Sequence, residues 1–214
     1  MATKAAETRS RRYDPAETRQ RVLEAANMLF STKGFVATGT ADIARAADVS
    51  EGSIFYHFGS KQNLLGELGR RYGQNMIAAM QQGDDLADLS VDTTVRRCFD
   101  YCATHKQWEA INCGGEDRIG ASGVHQPRAP EAEPFYRAAR EVVVAWTEAH
   151  MRAQLARHGG AADIDVPVAA SFVYATVGDA LDRAFGPSVS DADREAIVAE
   201  TIRFIGAACG YRAA

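Results

Sequence analysis

Hydrophobic positions recur at three- and four-residue spacing along almost the whole chain, and no run alternates β-branched with polar residues as a strand would. The pattern predicts an all-α fold. A first helix is expected over about Pro15 to Thr32: Asp14 suits the N-cap and Pro15 the first helical position, while Val22, Ala25, Ala26, Leu29 and Phe30 share one face before Gly34 ends it. A second, over about Thr40 to Ala47, buries Ile43 and Ala47, and a third, over Glu51 to His57, follows the tight connection Asp48-Val49-Ser50. The fourth starts after Ser60 and continues through Leu64, Leu65, Leu68 and Tyr72 toward Met80, with Gly66, Gly69 and Gly73 lowering its intrinsic helicity. Further helices are expected at about 91–111, 134–158, 166–185 and 191–208. Between 113 and 134 lie four Gly and three Pro, a composition that predicts an irregular loop.

The 214 residues leave room for one large or two modest domains, and with 46% hydrophobic and 24% charged residues they suit an ordinary globular chain with a real core. The uncharged stretch Val166 to Gly178 holds Pro167 and falls short of the ~20 apolar residues a spanning helix needs, so a membrane protein is not expected. No apolar segment follows the basic start Met1 to Arg12, which predicts no secretory signal and a cytoplasmic protein. Cys98, Cys102, Cys113 and Cys209 are too unevenly placed for a disulfide framework and are expected to be reduced. The net charge of -4 hides an asymmetry: residues 1–72 carry 11 Lys+Arg against 8 Asp+Glu, and the remainder 13 against 20. A polyanion is drawn to the first part and repelled by the second.

Helices two and three, each about two turns long and joined by a three- or four-residue turn, have helix-turn-helix spacing. Ser50 can cap the third, and Val49 can pack on Ile54 as a hydrophobic staple. Ile54 and Phe58 then face inward with Phe55 beside them, which leaves Gly52, Ser53, Tyr56 and His57 as the outward stripe. That stripe lacks the long charged side chains that solubilise an exposed helix. Its small residues permit close approach to a sugar-phosphate wall, and Tyr56 and His57 can donate to phosphate or reach base edges. Lys61 would add a phosphate clamp, and the arm bearing Arg9, Arg11 and Arg12 could reach the backbone or a minor groove.

The stretch GFVATGTADIARAADVSEGSIFYHFGSKQNLL, residues 34 to 65, resembles the DNA-binding signature of the TetR family of transcriptional regulators. The glycine-plus-aromatic after helix one, Asp-Ile-Ala in helix two, the Val-Ser turn and IFYHF followed by SK carry the likeness, which covers roughly residues 15 to 70. It implies a homodimeric, ligand-responsive repressor of a near-palindromic operator, released by a small, largely apolar effector. Its organisation would be a basic arm (1–14), a helix-turn-helix domain (15–60) and an effector-binding and dimerisation domain (61–214). Carried over residue by residue, the DNA contacts fall on Thr40, Gly52, Ser53, Tyr56, His57 and Lys61. Three positions depart from the family pattern: Gly39-Thr40 at the start of helix two, Asp48 for a common turn glycine, and Glu51 where Lys or Arg is frequent. Asp tolerates a left-handed turn. Glu51 puts the operator sequence, rather than operator binding, in question.

A regulator needs a second site, and aromatic residues with polar tips suit a mostly apolar pocket. The candidates are Phe99, Cys102, Trp108, Tyr136, Trp146 and Tyr174. Cys98, Cys102 and His105, at i, i+4 and i+7, offer the alternative of a metal or thiol sensor, although one straight helix cannot readily wrap three ligands around an ion. No metal or cofactor is expected. Small and branched residues of the last two helices suggest a two-fold interface through Phe172, Val173, Leu181, Ile197, Thr201 and Ile205. The remaining alternative, an all-α enzyme, finds no G-x-S-x-G, G-x-G-x-x-G, P-loop or H-E-x-x-H in the chain.

Overall fold

In a computed structural model the described residues are 14–105, 130–159, 164–186 and 188–209. They form α1 (Pro15–Lys33), α2 (Thr40–Ala46), α3 (Glu51–Phe58), α4 (Lys61–Gln81), α5 (Val91–Thr104), a 3-10 turn (Pro130–Ala132), α6 (Glu133–His158), α7 (Val166–Ala184) and α8 (Asp191–Ala208). No strand occurs among these residues. Asp14, Ser50 and Ser60 cap as expected, Asp14 accepting the amide of Ala16 at 2.8 Å and the two serines an amide three residues on; Ser90 and Ser190 cap α5 and α8 in the same way. Two boundaries differ from expectation. α5 closes at Thr104 rather than near 111, because Thr104 bonds back to the carbonyls of Asp100 and Tyr101 and the His105 ring stacks on Tyr101 at 4.1 Å. The expected loop 113–134 ends early, since the backbone is already turned at Pro130 and helical from Glu133.

The first three helices close around Val22, Ala26, Phe30, Ile43 and Ile54, each fully buried. Leu64, Leu65 and Leu68 of α4, with Ala132 and Phe135 at the start of α6, complete the same core. Packing therefore continues past residue 60, and the change from one core to the next falls inside α4. A second core joins Val95 and Phe99 of α5, Val144 and Met151 of α6, and Ala170, Ala184, Val198 and Ile205 of the last two helices.

The α4 glycines have a packing role that their helix propensity conceals. A Cβ on Gly69 would lie 2.1 Å from the carbonyl oxygen of Phe135, and one on Gly73 would lie 3.1 Å from that of Ala139. Backbone thus lies against backbone where α6 crosses α4, which only glycine allows. Among the described residues no helix is long and apolar enough to cross a membrane.

Candidate nucleic-acid interface and ligand cavity

The connection from α1 to α2 is held from both sides. Gly34 takes φ +82° to end α1, the Phe35 ring packs on Phe30 at 5.2 Å, and buried Thr38 donates its hydroxyl to the Gly34 carbonyl at 2.8 Å. Lys61 reaches back from α4 and donates to the carbonyls of Phe35 and Thr38, both at 2.9 Å, with its ammonium 4.2 Å from the Phe35 ring centre. Partial burial holds its pKa below the ordinary lysine value. The ammonium expected as a phosphate clamp thus has two acceptors within the chain and fastens this connection.

Asp48 adopts the left-handed turn expected of it, with φ +52°. Val49 packs against the core and Ser50 accepts the Ser53 amide at 3.2 Å, so α3 has a fixed start and the Ser53 amide is already engaged. Gly39 caps α2 by backbone alone, its amide donating to Asp42 at 3.2 Å, and this bond comes first among the causes that hold the Asp42 carboxyl below its usual range. Thr40 donates its hydroxyl to Glu51. Two of the three positions flagged as unusual thus form one pair that ties the front of α2 to the front of α3.

The outward face of α3 is bare. Tyr56 is 79% exposed and Phe55 is 50% exposed, beside exposed Gly52 and partly exposed Ser53 and His57; Ile54 and Phe58 are buried. Phe55 corrects the expectation that it would join the core, because Ile54 and Phe58 alone fill the inward side of this short helix. A Cβ on Gly52 would meet only Ser50 Oγ, at 3.8 Å, so nothing inside the fold requires glycine there. Tyr56 and His57 stand edge to face with ring centres 5.0 Å apart.

A cavity of about 140 Å³ opens between α4, α5, α6 and the last two helices. Of the six expected ligand residues, Cys102, Tyr136, Trp146 and Tyr174 line it. Phe99 does not: it is buried against Phe185, with ring centres 6.2 Å apart, because its face of α5 meets the last two helices. Trp108 lies outside the described residues. Tyr72, Met76, Met80, His150 and Asp182 also line the cavity and were not singled out; Cys98, named above for a metal or thiol sensor, lines it too. Tyr72, Met76 and Met80 follow one another at i, i+4 and i+8, a spacing that signals a buried face but cannot distinguish a hollow from a filled one.

Polar groups are fixed around this apolar lining. Trp146 donates its ring N–H to Gln81 at 3.2 Å and His150 bonds the Leu89 carbonyl through Nε2 at 2.7 Å, so both keep their other ring surface for the cavity. Burial lowers the His150 pKa, opposed by that carbonyl. The Cys98 thiol donates to Met76 Sδ at 3.9 Å, and the Tyr72 hydroxyl and Cys102 Sγ lie 3.7 Å apart. The bond from Cys98, aided by Tyr72 and opposed by burial, draws the Cys102 pKa down; bonding to Cys102 and burial drive Cys98 up, and burial pushes Tyr101 up to about 12. His105 takes no part, since its exposed ring is stacked on Tyr101. Among the described residues no three His, Cys, Asp or Glu side chains gather within reach of one metal ion.

The expected interface on the last two helices is largely internal. Thr201 and Ile205 are buried in the protomer, Val173, Leu181 and Ile205 line the cavity, and Ile197 packs on the second core. The aliphatic stripe of α8 finds its partner within the chain. Phe172 does stand outward, 68% exposed, and Val168 and Phe204 are exposed with it.

Residues 22–68 match the family model described as bacterial regulatory proteins of the tetR family. The chain is 40% identical over 60 residues to the HTH-type transcriptional regulator AcrR of Shigella flexneri, covering 28% of each protein. It is 34% identical over 73 residues to the HTH-type transcriptional repressor KstR2 of Mycolicibacterium smegmatis, covering 34% of this chain and 36% of that one. The similarity to these curated relatives thus spans about a third of their length. In fold the likeness extends over most of the chain: the structure of Salmonella enterica GusR aligns with TM-score 0.63 and 18% identity over 94% of this chain and 99% of that one. RolR in complex with resorcinol aligns with TM-score 0.59 and 15% identity, covering 90% and 89%. The relatives are regulators rather than enzymes. Residues 22–68 thus carry the DNA-binding segment of the tetR family of bacterial regulatory proteins, and the helices beyond them share the fold of these neighbours.

Proposed function

We propose that the chain regulates transcription by binding a near-palindromic operator as a homodimer and leaving it when a small, largely apolar molecule fills the cavity. The observation that carries this reading is the bare face of α3, where a glycine that the fold does not need adjoins a tyrosine 79% exposed. Glycine inside a helix costs about 1 kcal/mol relative to alanine, and exposed aromatics gain nothing from water, so the face is understandable only with something opposite it. Gly52 and Ser53 let a phosphate wall approach, and Tyr56 and His57 donate to phosphate or base edges, with Phe55 supplying apolar contact to a thymine methyl. The Thr40–Glu51 pair would stand at the groove edge, where the carboxylate can accept from a cytosine amine. The reading domain is the three-helix core with the front of α4, and the basic arm falls outside the described residues.

Homodimerisation is assigned to Val168, Phe172 and Phe204 rather than to the buried stripe, because these are the exposed large apolar side chains of the last two helices. A cavity of this size suits a single small ring, comparable with cavities that admit benzene; the fold neighbour RolR holds resorcinol. Release then follows from linkage: an effector that favours a reader spacing unlike one DNA turn lowers operator affinity by the same coupling energy, typically about 1–3 kcal/mol.

The test is in vitro selection of duplexes by the full chain, followed by fluorescence anisotropy across a salt series. A symmetric site whose affinity falls with salt, and is lost in a Tyr56→Ala/His57→Ala variant, supports the proposal. Equal binding by that variant, or selection of no symmetric site, overturns it.

A further inference from the structure

We propose that Met76, Cys98 and Cys102 form a three-sulfur site for Cu(I) in the wall of the cavity. Cys98 and Cys102 lie four residues apart on α5, and Met76 faces them from α4. The single S–H proton of Cys98 has two sulfur acceptors: Met76 Sδ, at 3.9 Å, and Cys102. Metal–sulfur bonds of ~2.3 Å in a trigonal plane place the sulfurs about 4 Å apart. An ion can thus occupy the position of that proton with little movement of either helix.

The donor chemistry selects the ion. Thiolate and thioether sulfur are soft ligands and prefer Cu(I), whereas the nitrogen ligand that zinc would welcome is turned away, with His105 stacked on Tyr101 at 4.1 Å. Three sulfurs from two helices suit three-coordination better than the tetrahedron of structural zinc. The Tyr72 hydroxyl, 3.7 Å from Cys102 Sγ, serves as the outer hydrogen bond that orients a metal ligand.

Binding is a substitution without electron transfer: the Cys98 and Cys102 S–H bonds break, two Cu–S bonds form beside the one from Met76 Sδ, two protons leave to solvent, and copper stays Cu(I). The site stands on these residues alone; only an effect of copper on operator binding would rest on the preceding reading, so either can fail without the other.

The test is anaerobic competition of the reduced full chain with bicinchoninate for Cu(I). One ion per chain is expected, with affinity falling about a hundredfold for each unit of pH below neutrality as the two released protons compete. Met76→Leu should weaken binding about tenfold and Cys98→Ser/Cys102→Ser at least about a hundredfold. His105→Ala and Cys113→Ser should each remain within twofold of the parent. Parental affinity in either sulfur variant, or a large loss in either control, overturns the site. Should a sulfur variant fail to fold, X-ray absorption of the copper-loaded parent decides: three sulfur neighbours support the site, and nitrogen or oxygen neighbours overturn it.

Discussion

The two ends of α4 belong to different kinds of interior. Its first turns complete a core closed around fully buried Phe30, Ile43, Ile54, Leu64 and Leu65, whereas its later turns, from Tyr72 to Met80, form one wall of a hollow. The reader is filled inside and bare outside, and the remainder has its distinctive chemistry inside. A filled core holds a short helix rigidly enough to present side chains to a fixed lattice of phosphates. A hollow leaves contacts unmade that a ligand can supply, and so gives the ligand leverage over helix positions.

The contrast can be broken most severely where the two interiors meet. Gly69→Ala sets a Cβ against the Phe135 carbonyl, 2.1 Å away, and should destabilise the chain by about 3 kcal/mol in urea unfolding, at the upper end of overpacking costs. A loss below about 1 kcal/mol would mean that α6 is free to shift on α4.

Tyr56→Ala separates the surfaces. It should remove about 2 kcal/mol of operator affinity, roughly thirtyfold, yet leave the unfolding midpoint unchanged, since the side chain is 79% exposed. Tyr56→Phe should fall between the two, and parental affinity in it would remove the hydroxyl from the account. Gly52→Ala should act in opposite directions on the two properties. The fold should gain about 0.5–1 kcal/mol, because the added methyl meets only Ser50 Oγ at 3.8 Å, while operator binding weakens.

Asp48→Gly should stabilise the reader by about 0.5 kcal/mol through relief of its left-handed φ of +52°, set against loss of a weak, exposed pair with Arg21. The smallest effect belongs to the hollow side. Burial keeps the His150 pKa below its ordinary 6.5, so the unfolded chain takes up a proton before the folded chain does. Stability is therefore full above about pH 6.5 and declines as pH falls from there toward the folded value. His150→Gln, which keeps a donor for the Leu89 carbonyl, should flatten the unfolding midpoint between pH 7 and pH 5; an unchanged slope would assign it to other groups.

Legibility divided along the same line. Caps, short helices and the Val49–Ile54 arrangement depend on residues a few positions apart, so Asp14, Ser50, Ser60 and the turn at Asp48 were readable directly. Phe55 was misread because an eight-residue helix has room for only two inward side chains, and which aromatic loses is settled by the neighbours. Lys61 looked like a free cation because its acceptors, the Phe35 and Thr38 carbonyls, lie more than twenty residues back. On the last two helices a stripe of Ile197, Thr201 and Ile205 announces burial without saying against what; the partner proved to be the same chain.

By itself the sequence determined that this chain is helical, where most helices begin, and that residues 34–65 resemble a known helix-turn-helix segment, because those properties are encoded in local spacing, capping and motif. Only the tertiary structure decided that Gly69 and Gly73 serve a helix crossing, that four of six expected residues border a cavity, and that Met76 meets Cys98. Those facts depend on the separation between helices distant in the chain, a quantity that hydrophobic periodicity does not specify.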